Sequence, residues 1–344
     1  MNLNHINPSQ MNSDNFEIVE NYRNEETLRN SFNALADRIF GIDFEKWHSL
    51  GFWDESYVCH SILDSSRGCD QREIVANVST TSMNLEINNR QLKALQIGTV
   101  MTHPDFRGRG FADRLMKQVL DRYSDQVDIF FLFANPAAAS FYPRHGFVPV
   151  SRNRFFVKFP KEADRGPAID SEKAFTGPGR FLNLNDKDDL EILKKIVADH
   201  VPAAGKLRVC GANAIQLWHC VNIYPGRLHY YSDRETILIH CGDEESPEQI
   251  NLMDVIGKSV HLPSVLQTLI KHYSDGAMGK PEKVRIHFTP NMEELKSWGW
   301  NTLTETDDPE LFVKYTTPAC NAEMLPENAE LFPAGLAFPA TATA

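Results

Sequence analysis

Apolar residues return at three- and four-residue intervals in several stretches of this chain, the period that gathers side chains on one face of a helix. From Glu25 to Ile39 the stripe is Leu28, Phe32, Leu35, Ala36 and Ile39. From Phe111 onward it is Phe111, Leu115 and Val119, with Ala112, Met116 and Leu120 beside it. From Asp188 to His200 it is Leu190, Leu193, Ile196 and Val197. Ala212 to Val221, Pro263 to Tyr273 and a short stretch from Met292 to Trp298 complete the expected helices. Between them lie short apolar or alternating runs bounded by turn residues, which predict strands. These fall around Ser61 and at Ile74 to Ser79, Leu92 to Met101, Ile129 to Ala134, Leu228 to Tyr231, Thr236 to His240, Leu252 to Ile256, Val284 to Phe288 and Leu311 to Tyr315. Met83 to Asn89 reads as the connection of a hairpin, and a loop-rich region carries Trp47 and Trp53.

This alternation predicts an α/β protein with a mixed sheet, in two parts. Residues 1–15 are polar and expected to be disordered. A first domain is expected over 16–160, a Gly/Pro-bearing linker over 161–180 and a second domain over 181–315. The β-β-β-α-β-α-β order of the second echoes the first. Residues 316–344, rich in Ala, Pro and Thr, are expected to be a solvated tail.

One segment names a chemistry. GTVMTHPDFRGRGFA, Gly98 to Ala112, runs from a strand through a glycine-bearing turn into a helix N-terminus. Such an end presents unpaired N–H groups and the positive pole of the helix dipole to an anion. Gly108 and Gly110 carry no Cβ to keep a phosphate away, and Arg107 and Arg109 add positive charge. The Walker pattern is absent, and Asp113 occupies the third glycine position of the dinucleotide fingerprint. What fits is R-x-x-G-x-A at Arg107, Gly110 and Ala112. A second pattern follows IFFLFA: Asn135, Ala138, Phe141, Tyr142, then Gly146-Phe147.

With these two motifs in order, the chain resembles the GNAT superfamily of N-acetyltransferases. The runs GIDFEKWHSLGFWDESYV and LFVKY extend the resemblance to a bacterial subgroup with a second, GNAT-like half. In that half the turn between Ile256 and Pro263 reads GKSVHL, with no coenzyme motif. The resemblance implies acetyl-CoA as co-substrate. Its pyrophosphate would lie on Arg107, Gly108, Arg109, Gly110, Phe111 and Ala112, its pantetheine arm along the backbone of Val100 and Thr102. The N–H of Val100 or Met101 would face the thioester carbonyl. Tyr142 would be the general acid that protonates the leaving thiolate. Asn135 would hold the pantetheine or the strand opening, or simply cap the strand, and Phe141 would pack beside the coenzyme. Trp47, Trp53 and Tyr57 would wall the acceptor site, or serve only as core. The strand from Leu95 to His103 holds no Asp or Glu, so Glu86, Asp54, Glu55 and His103 are the candidates for a base, unless water serves.

Charge and cysteines narrow the partners. A net charge of −11 argues against nucleic acid and suits a cationic acceptor. No apolar run approaches a membrane span and no signal pattern opens the chain, so a cytoplasmic protein is expected. The six cysteines lack C-x-x-C spacing and read as reduced thiols, and no metal is expected, His219-Cys220 with His240-Cys241 being a weak candidate. The expected activity is acetyl transfer from acetyl-CoA to a small-molecule amine through a tetrahedral intermediate, amine-bearing antibiotics included. The alternatives are a protein lysine or N-terminal acetyltransferase and a non-catalytic acyl-CoA sensor. Oligomeric state is not legible.

Overall fold

The computed structural model describes residues 15–66, 72–159, 173–202, 205–274, 281–316 and 335–342. Residues 1–14, most of the expected linker, tail residues 317–334, Cys69 and Cys320 lie outside these. The first half runs β1 (Phe16–Glu20), α1 (Glu26–Phe40), α2 (Glu45–Ser49), β2 (Tyr57–Asp64), β3 (Glu73–Ile87), β4 (Arg90–Thr102), α3 (Phe111–Tyr123), β5 (Ile129–Phe133) and β6 (Val148–Lys158). The second runs β7 (Arg180–Phe181), α4 (Lys187–Ala198), β8 (Leu207–Cys210), α5 (Asn213–Asn222), β9 (Leu228–Tyr231), β10 (Thr236–Gly242), β11 (Gln249–Ile256), α6 (Leu262–Ser274), β12 (Lys283–Ile286), α7 (Met292–Ser297) and β13 (Asn301–Tyr315).

All of these strands belong to one mixed sheet, ordered β1-β2-β3-β4-β5-β13-β6-β12-β11-β10-β9-β7, with β8 paired to β3. The pairs β4–β5 and β11–β12 are parallel. The last strand, β13, inserts between β5 and β6, and it pairs antiparallel with both. The two halves therefore share a sheet as well as a boundary.

The core follows the stripes. On one face, Leu115, Met116, Val119 and Leu120 of α3 pack on Ile62, Val78, Leu95 and Ile97. On the other, Leu28 and Phe32 of α1 share a cluster with Leu193 of α4, Trp218 of α5 and Ile239 of β10. A third cluster joins α6 and α7 to β10, β11 and β12. Asp186 caps α4 by accepting from the N–H groups of Asp188 and Asp189 at 2.9 and 3.1 Å.

Two expectations are corrected. Met83 to Ile87 is strand, not connection: the hairpin turns on Asn88 and Asn89 alone, with φ of 52° and 65°. Two consecutive positive φ values match the twist of the flanking strands, and Asn tolerates them. The tail is not solvated over residues 335–342. Leu336, Phe338 and Thr341 are buried, and the Phe338 ring stacks on Phe131 at 4.9 Å. Thr341 donates to the buried Asp254 carboxylate, which also accepts from Gln216 at 3.2 Å. Among the described residues no helix is long and apolar enough to cross a membrane.

Candidate active site

The site begins as an opening in the sheet. β4 and β5 pair only from Ala94–Ile129 to Gln96–Phe131, although β4 continues to Thr102. The cause is a bulge. Ser79 faces Gly98 and Asn77 faces Met101, so β4 carries one residue more than β3 across this stretch. Thr99 sits there at φ 48°, an uncommon conformation for a β-branched residue. Buried polar side chains hold it. Asn77 Nδ2 donates to the Thr99 carbonyl at 2.9 Å, and Thr99 Oγ1 lies 2.9 Å from Tyr57 Oη. Asn77 Oδ1 accepts from Ser61 Oγ at 2.8 Å, and Ser61 lies 2.6 Å from the buried Tyr22 hydroxyl. Val100, Met101 and Thr102 all lie in the stretch with an open edge toward β5. Met101 is otherwise a core side chain, whereas Val100 faces the cavity described below.

At the end of β4, His103 Nδ1 accepts from the Asp105 N–H at 3.3 Å and caps a single 3₁₀ turn, Pro104–Phe106. Gly108 and Gly110 follow with φ of 76° and 74°. A Cβ at either would meet nothing within 4 Å, so backbone conformation, not crowding, asks for glycine. Gly110 opens α3 without a side-chain cap, which leaves the first-turn N–H groups to a ligand. Arg107 Nε donates to the Thr102 carbonyl at 3.4 Å, and the Arg109 guanidinium lies 4.7 Å from the Phe106 ring centroid. Phe111 packs on Phe16 at 5.0 Å, and Ala112 is half-buried. The turn has the backbone conformation and charge that a pyrophosphate requires. Asp113, in the same helical turn, is paired with His145 at 3.1 Å.

Beyond β5, Asn135 caps the 3₁₀ segment Pro136–His145 by accepting from the Ala137 N–H at 3.0 Å. Tyr142 is buried against Phe147 and Phe312, at ring distances of 6.2 and 5.7 Å. Burial pushes its phenol up to about 12. Phe141 packs tilted against His145, with ring centroids 4.7 Å apart, and lies outside the cavity lining.

A cavity of about 710 Å³ joins these parts. Val100, Arg107, Asn135 and Tyr142 line one side, next to the β4–β5 opening. Phe44, Tyr57, Trp218 and His219 line the other side, where Ala340 of the tail closes it. Among the described lining residues there is no carboxylate.

Several expected site residues lie elsewhere. Trp47 and Trp53 are core, stacked on each other at 5.3 Å, and they donate to the Ala214 and Tyr57 carbonyls at 3.0 and 3.1 Å. Only Tyr57 of that trio reaches the cavity. Glu86 pairs with Arg208 at 3.1 Å, Asp54 accepts from the Ser56 N–H at 2.8 Å, and Glu55 faces Arg23 at 3.5 Å; none lines the cavity. His103 is occupied as a cap. The histidine that does line the cavity is His219, whose Nδ1 lies 2.9 Å from the Ile215 carbonyl. A carbonyl can only accept, so that contact fixes the Nδ1–H tautomer. His219, Trp218 and Phe44 sit in plain helical or loop patterns. Nothing in their sequence marks them, because a fold contact between α2 and α5 brings them here.

Residues 26–150 match a family model described as acetyltransferase (GNAT) domain. No curated protein matches the chain. Among solved structures, the chain is similar to a GCN5-related N-acetyltransferase from Kribbella flavida, with TM-score 0.51 and 18% identity over 88% of this chain and 72% of that one. It is similar to a probable N-acyltransferase of unknown function from Enterococcus faecalis V583, with TM-score 0.52 and 12% identity over 88% and 72%. It is also similar to Eis1 from Mycobacterium abscessus, with TM-score 0.52 and 13% identity over 88% and 74%. At such identities the likeness is one of fold, and it extends well past residue 150 into the second half. Residues 26–150 thus carry a domain similar to the GNAT acetyltransferase domain, within a chain whose fold is similar to these proteins along most of its length.

Proposed function

We propose that the protein transfers an acetyl group from acetyl-CoA to the amine of a small, largely apolar molecule. One observation carries this reading: the opening between β4 and β5 leads into a single cavity whose far wall, Phe44, Tyr57 and Trp218, is aromatic and lacks carboxylates among its described residues. A polycationic acceptor would need carboxylates for its extra charges, whereas one amine on an apolar or aromatic body gains by burial. In this reading residues 16–160 supply the coenzyme side and residues 181–315 the acceptor wall. The turn from Arg107 to Ala112 holds the pyrophosphate. The open edge of Val100 to Thr102 takes the pantetheine arm, as an added strand would pair.

His219, which lines the cavity, removes the amine proton, and the amine attacks the thioester carbon. Collapse of the tetrahedral intermediate breaks the C–S bond, and Tyr142 Oη returns a proton to the departing thiolate. Mass spectrometry of acetyl-CoA reactions with alkyl and aromatic monoamines, polyamines, aminoglycosides and peptides tests the acceptor class. Transfer to monoamines is expected; transfer confined to polycations or peptide lysines would sink it. Tight acetyl-CoA binding with no transfer to any amine would make the protein a sensor. His219→Gln should lower turnover and leave acetyl-CoA affinity unchanged.

A further inference from the structure

The second half carries a cluster that acetyl transfer does not use. His229 of β9, His240 of β10 and His272 of α6 bring one ring nitrogen each within 4.8 Å of one another. The register makes this possible. His229 faces Leu238 across the β9–β10 ladder, so His240 lies two residues along on the same strand, diagonal to His229, while His272 comes from the last turn of α6. Ring centroids are 5.3 Å apart for His229–His240, 4.8 Å for His229–His272 and 5.4 Å for His240–His272. We propose that these three histidines bind one divalent transition-metal ion of the zinc class, with a fourth position left open beside the exposed His272.

Tautomers support the assignment. The Gly179 backbone packs against the His229 ring, so closely that a Cβ on Gly179 would lie 2.3 Å from His229 Nε2. In the tautomer with the proton on Nε2, Nδ1 is the lone-pair nitrogen. That nitrogen lies 3.1 Å from His240 Nε2. His240 Nδ1 in turn lies 2.9 Å from Tyr273 Oη, which can accept its proton. With both rings in those tautomers, two lone pairs face each other, and a cation between them removes the repulsion. Tetrahedral zinc with Zn–N of about 2.0–2.1 Å sets its ligand nitrogens about 3.3 Å apart, close to the 3.1 Å of the His229–His240 pair, with all three ligand atoms within 4.8 Å. An outer partner such as the Tyr273 phenol orients a metal-binding imidazole. Imidazole ligands and a low coordination number suit zinc, cobalt or nickel, not calcium or magnesium.

The competing arrangement keeps a proton on His240 Nε2, donated to His229 Nδ1, with Tyr273 donating to His240. Tyr231 Oη lies 3.3 Å from His229 Nδ1, where it can donate to the lone pair only while no ion takes it. The two differ in what zinc does. The full-length chain, stripped with chelator and dialysed, should bind one zinc ion in titration calorimetry, and cobalt should give the intense visible bands of tetrahedral coordination. Because His272 is exposed, His272→Ala should fold normally, weaken zinc binding by roughly tenfold or more and abolish the zinc-induced rise in Tm. Its acetyl-CoA affinity should stay at the wild-type value, which separates this site from the catalytic one. Absence of zinc binding, octahedral cobalt spectra, or equal affinity in His272→Ala would overturn the site and leave a packed hydrogen-bonded cluster.

Discussion

A phenol that protonates a departing thiolate must still hold its proton at the working pH. Tyr142 is suited to this because burial, with no cation to offset it, pushes its pKa from 10.0 to about 12. Removing the hydroxyl in Tyr142→Phe keeps the ring against Phe147 and Phe312. Turnover should fall by roughly 10²–10⁴-fold with acetyl-CoA affinity retained, as read by steady-state kinetics and calorimetry. Wild-type turnover in the variant would dismiss Tyr142 as the acid. The same shift has a sign for stability. Below pH 10 the phenol is neutral in both folded and unfolded chains. Between pH 10 and about 12 the unfolded chain ionises first, so stability contributed by the neutral buried phenol is lost as pH rises through that window. Denaturant midpoints should decline more steeply from pH 10 to 12 in the wild type than in Tyr142→Phe. Asn77 makes a different case, since it acts through geometry. Asn77→Ala leaves the Thr99 carbonyl without its donor and Ser61 without its acceptor, each a cost of about 1–3 kcal/mol when buried. Urea unfolding should register that loss, and KM for acetyl-CoA should rise as the bulge relaxes. An unchanged KM in a destabilised variant would detach the bulge from coenzyme binding.

Elements whose residues repeat locally were readable in advance; elements defined by distant partners were not. The stripes of α1, α3 and α4 and the strand–turn–helix around Gly108 and Gly110 are local patterns, and each is found within a residue or two of its expected place. The hairpin differs from its expected bounds because Asn88 and Asn89 turn the chain in two residues while Met83 to Ile87 keep the strand's alternation. Trp47 and Trp53 illustrate the limit at the site. Two tryptophans six residues apart fit a substrate wall and a core equally well, and only the contact of Trp47, in α2, with α5 decides for core. The tail was misjudged because its Ala, Pro and Thr content resembles a solvated extension, while Leu336 and Phe338 find apolar partners set by β5. Burying those two side chains is worth about 1.5–3 kcal/mol each before chain entropy. Truncation after Thr316 should therefore lower Tm by several degrees and open the cavity wall at Ala340, raising KM for the amine. A truncated chain with unchanged Tm and KM would return the tail to the role of a passive extension.

Two halves that share one sheet cannot be independent in folding. β13, contributed by the end of the second half, fills the place between β5 and β6 and hydrogen-bonds both along their length. β8 pairs with the far end of β3, which places a strand of the second half on the first in a separate position. The main core cluster runs from Phe32 and Trp47 to Leu193, Trp218 and Ile239 without a solvent break. Residues 1–160 alone would present the facing edges of β5 and β6 unpaired and the inner faces of α1 and α2 uncovered. An open apolar edge of that kind favours aggregation over folding. Full-length protein should thus unfold in a single transition, with calorimetric and van't Hoff enthalpies in agreement. The fragment 1–160 should be insoluble or lack a cooperative transition, and co-expression with residues 173–344 should restore a soluble complex that binds acetyl-CoA. A fragment that folds alone and binds acetyl-CoA with full affinity would show that β13 only decorates a complete first domain. Two separated thermal transitions in the intact chain would lead to the same conclusion. The acceptor wall would then be a removable cover, and substrate choice would have to be sought within residues 16–160.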